Sequence, residues 1–217
     1  MSRITLIGGH GKVALLAAPL LVADGHEVTS VVRNPDHVAD VEATGATALV
    51  SSVEDADAHA QADLLSGQDA VFWSAGAGGG DPQRSLAVDR DAAIRSMDAA
   101  QTAGVGRYVM VSFSGADRDS LVPEDNPFRS YQDAKIAADE HLRASGLDWT
   151  VLGPGSLTLE PGRGAVNPHA RSGEVDTTSR ELVAQVALAV LDDPRAHRKT
   201  PVFGDGDVPI DEWLASL

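Results

Sequence analysis

The chain has 217 residues, 43% of them hydrophobic and 23% charged, the size and balance of one soluble globular domain with a continuous core. A formal net charge of −15 argues against nucleic acid or an anionic membrane as partner, so any anionic ligand must be held by a local cluster of donors. The absence of cysteine excludes disulfides, thiolate zinc sites and cysteine nucleophiles. The N-terminus runs directly into a strand-like segment and no apolar run reaches the length of a membrane span, so a cytoplasmic protein is expected. Oligomeric state is not legible.

Taken in chain order, residues 4–7 predict a strand and 12–23 a helix, with Gly25 as its cap. A strand over 27–32 leads through Asn34-Pro35 into a helix over 35–43, closed by Gly45. A strand over 47–50, a helix over 55–65 and a strand over 70–74 follow. Asp81-Pro82 opens a helix over 82–103 that Gly104 ends, and residues 108–111 predict the next strand. Asn126-Pro127 opens a helix over 127–144 with Gly146 behind it, and a strand follows over 150–152. A last helix, 179–191, opens with the capping-box pattern Thr178-x-x-Glu181.

These strands are too uniformly apolar for a sheet with one wet face and read as buried parallel strands. Strand and helix alternating throughout predicts a doubly wound α/β domain, a mostly parallel sheet with helices on both faces. Pro19 conflicts locally with its helix, where proline removes a hydrogen bond and costs about 3 kcal/mol. Two segments resist the regular pattern, 115–126 and 153–177. Both follow strand ends, where ligand loops of open α/β sheets lie, so they are expected to form the substrate pocket.

Ile7-Gly8-Gly9-His10-Gly11-Lys12-Val13-Ala14 joins the first predicted strand to the first helix. It reads either as Gly9-x-Gly11-x-x-Ala14 or as Gly8-x-x-Gly11-x-x-Ala14. In both, glycines allow the tight turn and bring backbone close to a pyrophosphate held by the helix N-terminus. Its position, after a strand and opening a helix, raises the string above a simple turn. His10 would then lie near the phosphates. Arg33 follows the second strand directly, with no acid in Val31-Val32-Arg33-Asn34. An acid there would grip a ribose 2′-OH, whereas arginine suits a 2′-phosphate, so NADP(H) is expected over NAD(H). Lys12 stands in the first helical turn, where a cation opposes the dipole unless a bound phosphate compensates it.

Tyr131-Gln132-Asp133-Ala134-Lys135 lies within a predicted helix, and the i, i+4 spacing puts phenol and ammonium on one face. A lysine there lowers the tyrosine pKa, and the phenol then protonates a carbonyl oxygen as hydride arrives. The glycine loop, Arg33, Ser74-Ala75-Gly76, Val111-Ser112-Phe113-Ser114, Tyr131/Lys135 and Pro154-Gly155 occur in that order. The ordered set resembles the short-chain dehydrogenase/reductase superfamily, in particular its short atypical NAD(P)H-binding members, over essentially the whole chain. Ala137-Ala138-Asp139-Glu140-His141-Leu142 and Leu147-Asp148-Trp149-Thr150 carry the likeness further.

The resemblance implies that Tyr131 is the proton donor and that Lys135 also binds the nicotinamide ribose. It implies a serine that polarises the carbonyl, Ser114 or Ser112. Strand alternation puts both on one side with Phe113 opposite, so the choice stays open. Pro154, Ser156 and Leu157 would line the nicotinamide, and Ser74, Ala75 and Gly76 would pass beneath its ribose. The chain departs from its relatives at Ser51-Ser52-Val53, where an Asp near the adenine is usual, and at Gly153, where many carry arginine. It is also too short for the substrate domain that sugar-nucleotide epimerases add, so epimerase activity is not expected.

The seven histidines show no metal-ligand spacing and read as solvent-facing or loop residues; no metal is expected. No serine sits in a Gly-x-Ser-x-Gly elbow. The acids, spread over helix faces and loops, read as a solvated surface. Together these features predict an NADP(H)-dependent reductase of a small carbonyl- or quinone-like molecule. The alternative is a redox sensor of the same structural group that binds NADP(H) without turnover and acts through a protein partner.

Overall fold

The computed structural model describes residues 1–78, 81–171 and 177–217. Its spine is a parallel sheet of β1 (Arg3–Ile7), β2 (Glu27–Val32), β3 (Thr47–Val50), β4 (Ala70–Trp73), β5 (Arg107–Val111), β6 (Asp148–Pro154) and β10 (Val202–Phe203). The order across the seven strands is β10-β6-β5-β4-β1-β2-β3. In β1 Ile4 lies beside Val28 of β2 and Ala70 of β4, which leaves β1 no wet edge and buries even Thr5 within it.

From β1 the chain winds outward through β2 and β3, then returns to the other flank of β1 and winds the opposite way. The reversal opens a crevice at the C-terminal ends of β1 and β4, where open α/β sheets bind ligands. One face of the sheet packs α1 (Lys12–Ala23), α7 (Arg180–Leu191) and α8 (Ile210–Leu214) over Ile4, Leu6, Leu21, Val186 and Phe203. The other packs α3 (Ala58–Leu65), α5 (Ala93–Ala103) and α6 (Arg129–Ala144) over Ile7, Val71, Trp73, Met97 and Met110. The doubly wound architecture read from the sequence is therefore the one observed.

Several local expectations need correction. The helix expected over 35–43 splits into a 3₁₀ turn, Pro35–His37, and α2 (Val38–Glu42). The helix expected over 82–103 begins as α4 (Pro82–Arg84), passes through a π-helical stretch, Ser85–Ala92, and continues as α5. The capping box does not form. Ser179 caps α7 by accepting from Leu182 N, while Thr178 donates to Phe203 O and accepts from Gly155 N. Glu181 instead accepts from Gly162 N. Gly104 ends α5 in the left-handed conformation at φ 75°, but α6 ends through extended Ser145, not Gly146. Pro19 is exposed and α1 continues through it, because Ala17, Ala18 and Leu21 are fully packed.

Short pairs complete the fold: β7 (Ser156–Thr158) with β9 (Thr177–Ser179), and β8 (Ala165–Val166) with β11 (Val208–Pro209). Arg107 bolts the sheet to α7. Its buried guanidinium donates to Val190 O and Leu191 O at the helix C-terminus, to Asp148 O and to Thr150 Oγ1. Burial lowers its pKa to about 10. Cations suit a helix C-terminus, so this one supplies fixed donors to otherwise orphaned carbonyls.

Candidate functional site

The crevice holds two connected lobes. The first, about 340 Å³, is lined by Gly8 to Gly11, Val31 to Asn34, Ser51 to Glu54 and Ser74 to Gly76. Gly8 is left-handed at φ +87°, and a Cβ there would lie 2.6 Å from the Ala75 backbone. A Cβ on Gly9 would lie 2.7 Å from Ser30 Cβ. Both positions must be glycine for the turn to nest between β2 and β4. Gly11 N donates to Gly8 O at 2.8 Å, closing the turn, and Gly11 caps α1 without any side-chain hydrogen bond. The first-turn amides of α1 are thus left for an anion, and the glycines leave it room.

At the far end of this lobe Arg33 Nη1 donates to Glu54 Oε2 at 3.0 Å, and Arg84 Nη2 lies 3.7 Å from the same oxygen. Two guanidiniums converge where the sequence placed a 2′-phosphate. His10 stacks on His37 with centroids 3.6 Å apart and pairs with Asp40 at 2.8 Å. No group of residues able to hold a metal ion occurs among the described residues.

The second lobe, about 900 Å³, shares Gly11 and Ser74 to Gly76 with the first. It adds Lys12, Val13, Asp89, Ser112, Phe128, Tyr131, Lys135 and Leu157. Tyr131 stands in an aromatic cluster, its ring 5.4 Å from Phe113 and 5.2 Å from Phe128. Lys135 is buried, and its Nζ donates to Val111 O at 2.9 Å. The spacing therefore brings phenol and ammonium to one lobe. Their electrostatics differ from the expectation. Burial pushes the Tyr131 phenol above its ordinary pKa, and the Asp89 carboxylate pushes it further. Tyr131 is held as a neutral donor, not biased toward phenolate.

The acids that read as a solvated surface include two that are not. Asp89 and Asp139 are 1% and 0% exposed. Asp89 comes from the π-helical stretch and accepts from Ala77 N at 3.2 Å. Asp139, one turn beyond Lys135 on α6, lies 2.5 Å from Ser112 Oγ. Burial pushes the pKa of both upward, against the nearby Lys135 ammonium. His26, read as a solvent-facing or loop residue, is a loop residue that is buried and accepts from Ser2 N.

The two serines separate. Ser112 lines the second lobe; Ser114 does not, and its amide donates to Pro154 O. Strand alternation fails here because β5 ends at Val111, and Ser112 and Phe113 both reach α6, at Asp139 and Tyr131. Ser52 and Val53 line the first lobe, whereas Pro154 and Ser156 line neither. Of 153–177 only Leu157 lines the lobes, with residues 172–176 outside the described ones, and no residue of 115–126 does. That segment is drawn back to α6 by Gln132, which bonds Gly115 O, Ser120 O and Val122 N. Gly153 has a packing reason: a Cβ there would lie 3.1 Å from Val202 of β10.

Sequence reasoning missed Glu54, Arg84, Asp89 and Asp139. For Asp139 a signal existed, since it falls on the stripe that carries Lys135, Ala138 and Leu142 inward.

A model of an NAD(P)H-binding family matches residues 8–194. A Bacillus subtilis protein named YhfK, an uncharacterized sugar epimerase, is 34% identical, covering 99% of this chain and 100% of its own. A Bacillus halodurans structure described as an NAD-dependent epimerase/dehydratase superposes with a TM-score of 0.89, at 30% identity and 100% coverage of both chains. The oxidoreductase YlbE of Lactococcus lactis gives a TM-score of 0.88, at 25% identity, covering 99% of this chain and 96% of that one. No helix among the described residues is long and apolar enough to cross a membrane.

Proposed function

Since the chain belongs to the NAD(P)H-binding family of atypical short-chain dehydrogenase/reductases, we propose that it is an NADP(H)-dependent reductase of a small carbonyl- or quinone-like substrate. One observation carries the reading: Tyr131, Lys135 and Ser112 line a lobe continuous with the glycine-loop lobe. The dinucleotide, when bound, supplies the hydride. The amides at the start of α1 would hold its pyrophosphate, and Arg33 with Arg84 would hold a 2′-phosphate against Glu54. A Veillonella parvula short-chain dehydrogenase/reductase of the same fold, at a TM-score of 0.70 and 20% identity, is described in complex with NADP.

The chain's own part in the reaction is protonation and orientation. Tyr131, kept neutral by burial, donates to the substrate oxygen as negative charge develops there. Lys135 fixes the floor of the lobe through Val111 O and offers its remaining N–H groups to the ribose. The Phe113–Phe128–Tyr131 cluster holds the phenol ring in place.

Turnover of a carbonyl and quinone panel followed by NADPH oxidation tests the reading. Tyr131→Phe should keep NADPH affinity while turnover falls about 10²–10⁴-fold, the worth of one general acid. Lys135→Met should damage both. A Tyr131→Phe enzyme as fast as wild type refutes the mechanism, and a panel with no NADPH oxidation favours the sensor. Sugar epimerisation, which the name of the Bacillus subtilis relative suggests, would return hydride to the sugar with no net NADPH oxidation.

A further inference from the structure

The charges buried beneath the Tyr131 lobe do not balance if every group is ionised. One ammonium, Lys135, sits with two carboxyls, Asp89 and Asp139, all at 2% exposure or less. Such a cluster favours one neutral acid, because a surplus buried charge is costly.

Hydrogen bonding separates the two acids. Asp89 accepts from the Ala77 amide and faces both Lys135 and Arg84. Asp139 also faces Lys135, but among the described residues it hydrogen-bonds only the Ser112 hydroxyl, at Oδ2, with the Arg143 guanidinium 4.0 Å away, and its Oδ1 is buried without a partner. A carboxylate would place unsolvated charge on that orphan oxygen, whereas a neutral acid places only a carbonyl there. Asp89 is the acid built to be ionised and Asp139 the one built to be neutral.

We propose, resting on the reductase reading above, that Asp139 is a positioning residue whose carboxyl O–H donates to Ser112 Oγ and so turns the Ser112 proton toward the substrate oxygen. A hydroxyl has one proton to give. Against an ionised Asp139, Ser112 spends it inward and shows the lobe only lone pairs, which repel a carbonyl. Against the neutral acid, Ser112 accepts from Asp139 and donates into the lobe. The Asp139 proton stays on Asp139 throughout; its place decides the direction of the chain.

The charged groups around Asp139 are known on every side. On α6 itself Lys135 and Arg143 favour the ionised form and Glu140 opposes it. From the end of β5 comes Ser112, and from the π-helical stretch comes Asp89, which competes for the same ammonium. Across the α5–α6 contact, Asp98 and His141 are paired with each other at 2.8 Å in solvent.

Carboxyl-carbon NMR of the wild-type protein, labelled at aspartate, tests the proton directly and needs no substrate. The Asp139 resonance, assigned by its loss in Asp139→Asn, should stay protonated well above the range where the other aspartates ionise. With 9,10-phenanthrenequinone as probe and NADPH in excess, wild-type kcat should fall about 10²-fold as pH rises through that titration, the worth of one oxyanion donor. In Asp139→Asn the amide N–H donates to Ser112 at every pH, so that fall should be absent. Asp139→Leu, which has nothing to orient Ser112, should be slow across the whole range.

A resonance that titrates with the ordinary aspartates overturns the proposal. So does a wild-type pH profile reproduced unchanged in Asp139→Asn. If no variant reduces the quinone, the reductase reading fails by itself, and the resonance alone then upholds or overturns the placement of the proton.

Discussion

Arg33→Ala should weaken NADPH binding by about 1–2 kcal/mol and leave NADH binding nearly unchanged. The magnitude is a difference of two terms. A hydrogen bond from arginine to a charged phosphate contributes about 1.5–3 kcal/mol. Before making it, the guanidinium must leave Glu54, 3.0 Å away, in a pair whose arginine is 60% exposed. Exposed pairs of this kind contribute only about 0.2–1 kcal/mol. The difference predicts a loss of about 5–30-fold in affinity. Arg84, which also faces Glu54 Oε2 at 3.7 Å, remains in the variant and keeps the loss toward the lower end.

Glu54→Gln sharpens the test because it moves the other way. It removes the carboxylate that competes with the 2′-phosphate, so NADPH should bind about 2–5-fold tighter, the upper reach of an exposed pair. Calorimetric titration of wild type and both variants with NADPH and NADH gives all the constants. Ionic strength must be held constant, because exposed charges are screened over about 8 Å at physiological salt. Equal losses of both nucleotides in Arg33→Ala, or tighter binding of NADH by wild type, would refute the reasoning.

Gly11→Val should stay folded by far-UV circular dichroism, because Gly11 has an ordinary φ of −64°. It should nonetheless lose both nucleotides, since a β-branched side chain would cover the α1 amides; normal nucleotide binding would reduce the loop to a structural turn. Arg107→Met should lower Tm by about 6–12 °C while NADPH affinity is unchanged, because about 3 kcal/mol of buried carbonyl bonding is lost. A Tm within a degree of wild type would show that Arg107 does not bolt α7 to the sheet.

The strands were legible because a doubly covered parallel sheet leaves its apolar runs uninterrupted, as in Ala70–Trp73 and Tyr108–Met110. β10 was not, since Val202 and Phe203 are too few to show a period and follow a proline. The helix over 82–103 was legible as a helix, but its π-helical stretch was not, because apolar spacing does not separate a four-residue from a five-residue repeat. That stretch carries Asp89, so the buried acid was lost with it. Tyr131 and Lys135 were found because their chemistry coincides with helical spacing. Ser112 was left open against Ser114 because strand alternation was carried past Val111, where β5 ends. Asp139 was misread because an acid in an amphipathic helix is ordinarily solvated; only the neighbours on its stripe mark it as inward.

The same acids explain how a chain of net charge −15 offers a site to a polyanion. The glycine-loop lobe offers neutral donors, the first-turn amides of α1, whose field depends on helix orientation and not on net charge. Glu54, the carboxylate that lines the lobe, is already answered by Arg33 and Arg84. In the Tyr131 lobe Asp89 is answered by the Ala77 amide and Lys135. Charges on the exposed surface are screened by solvent over about one Debye length. Global charge therefore acts on how often an anion arrives, while local geometry sets how tightly it stays.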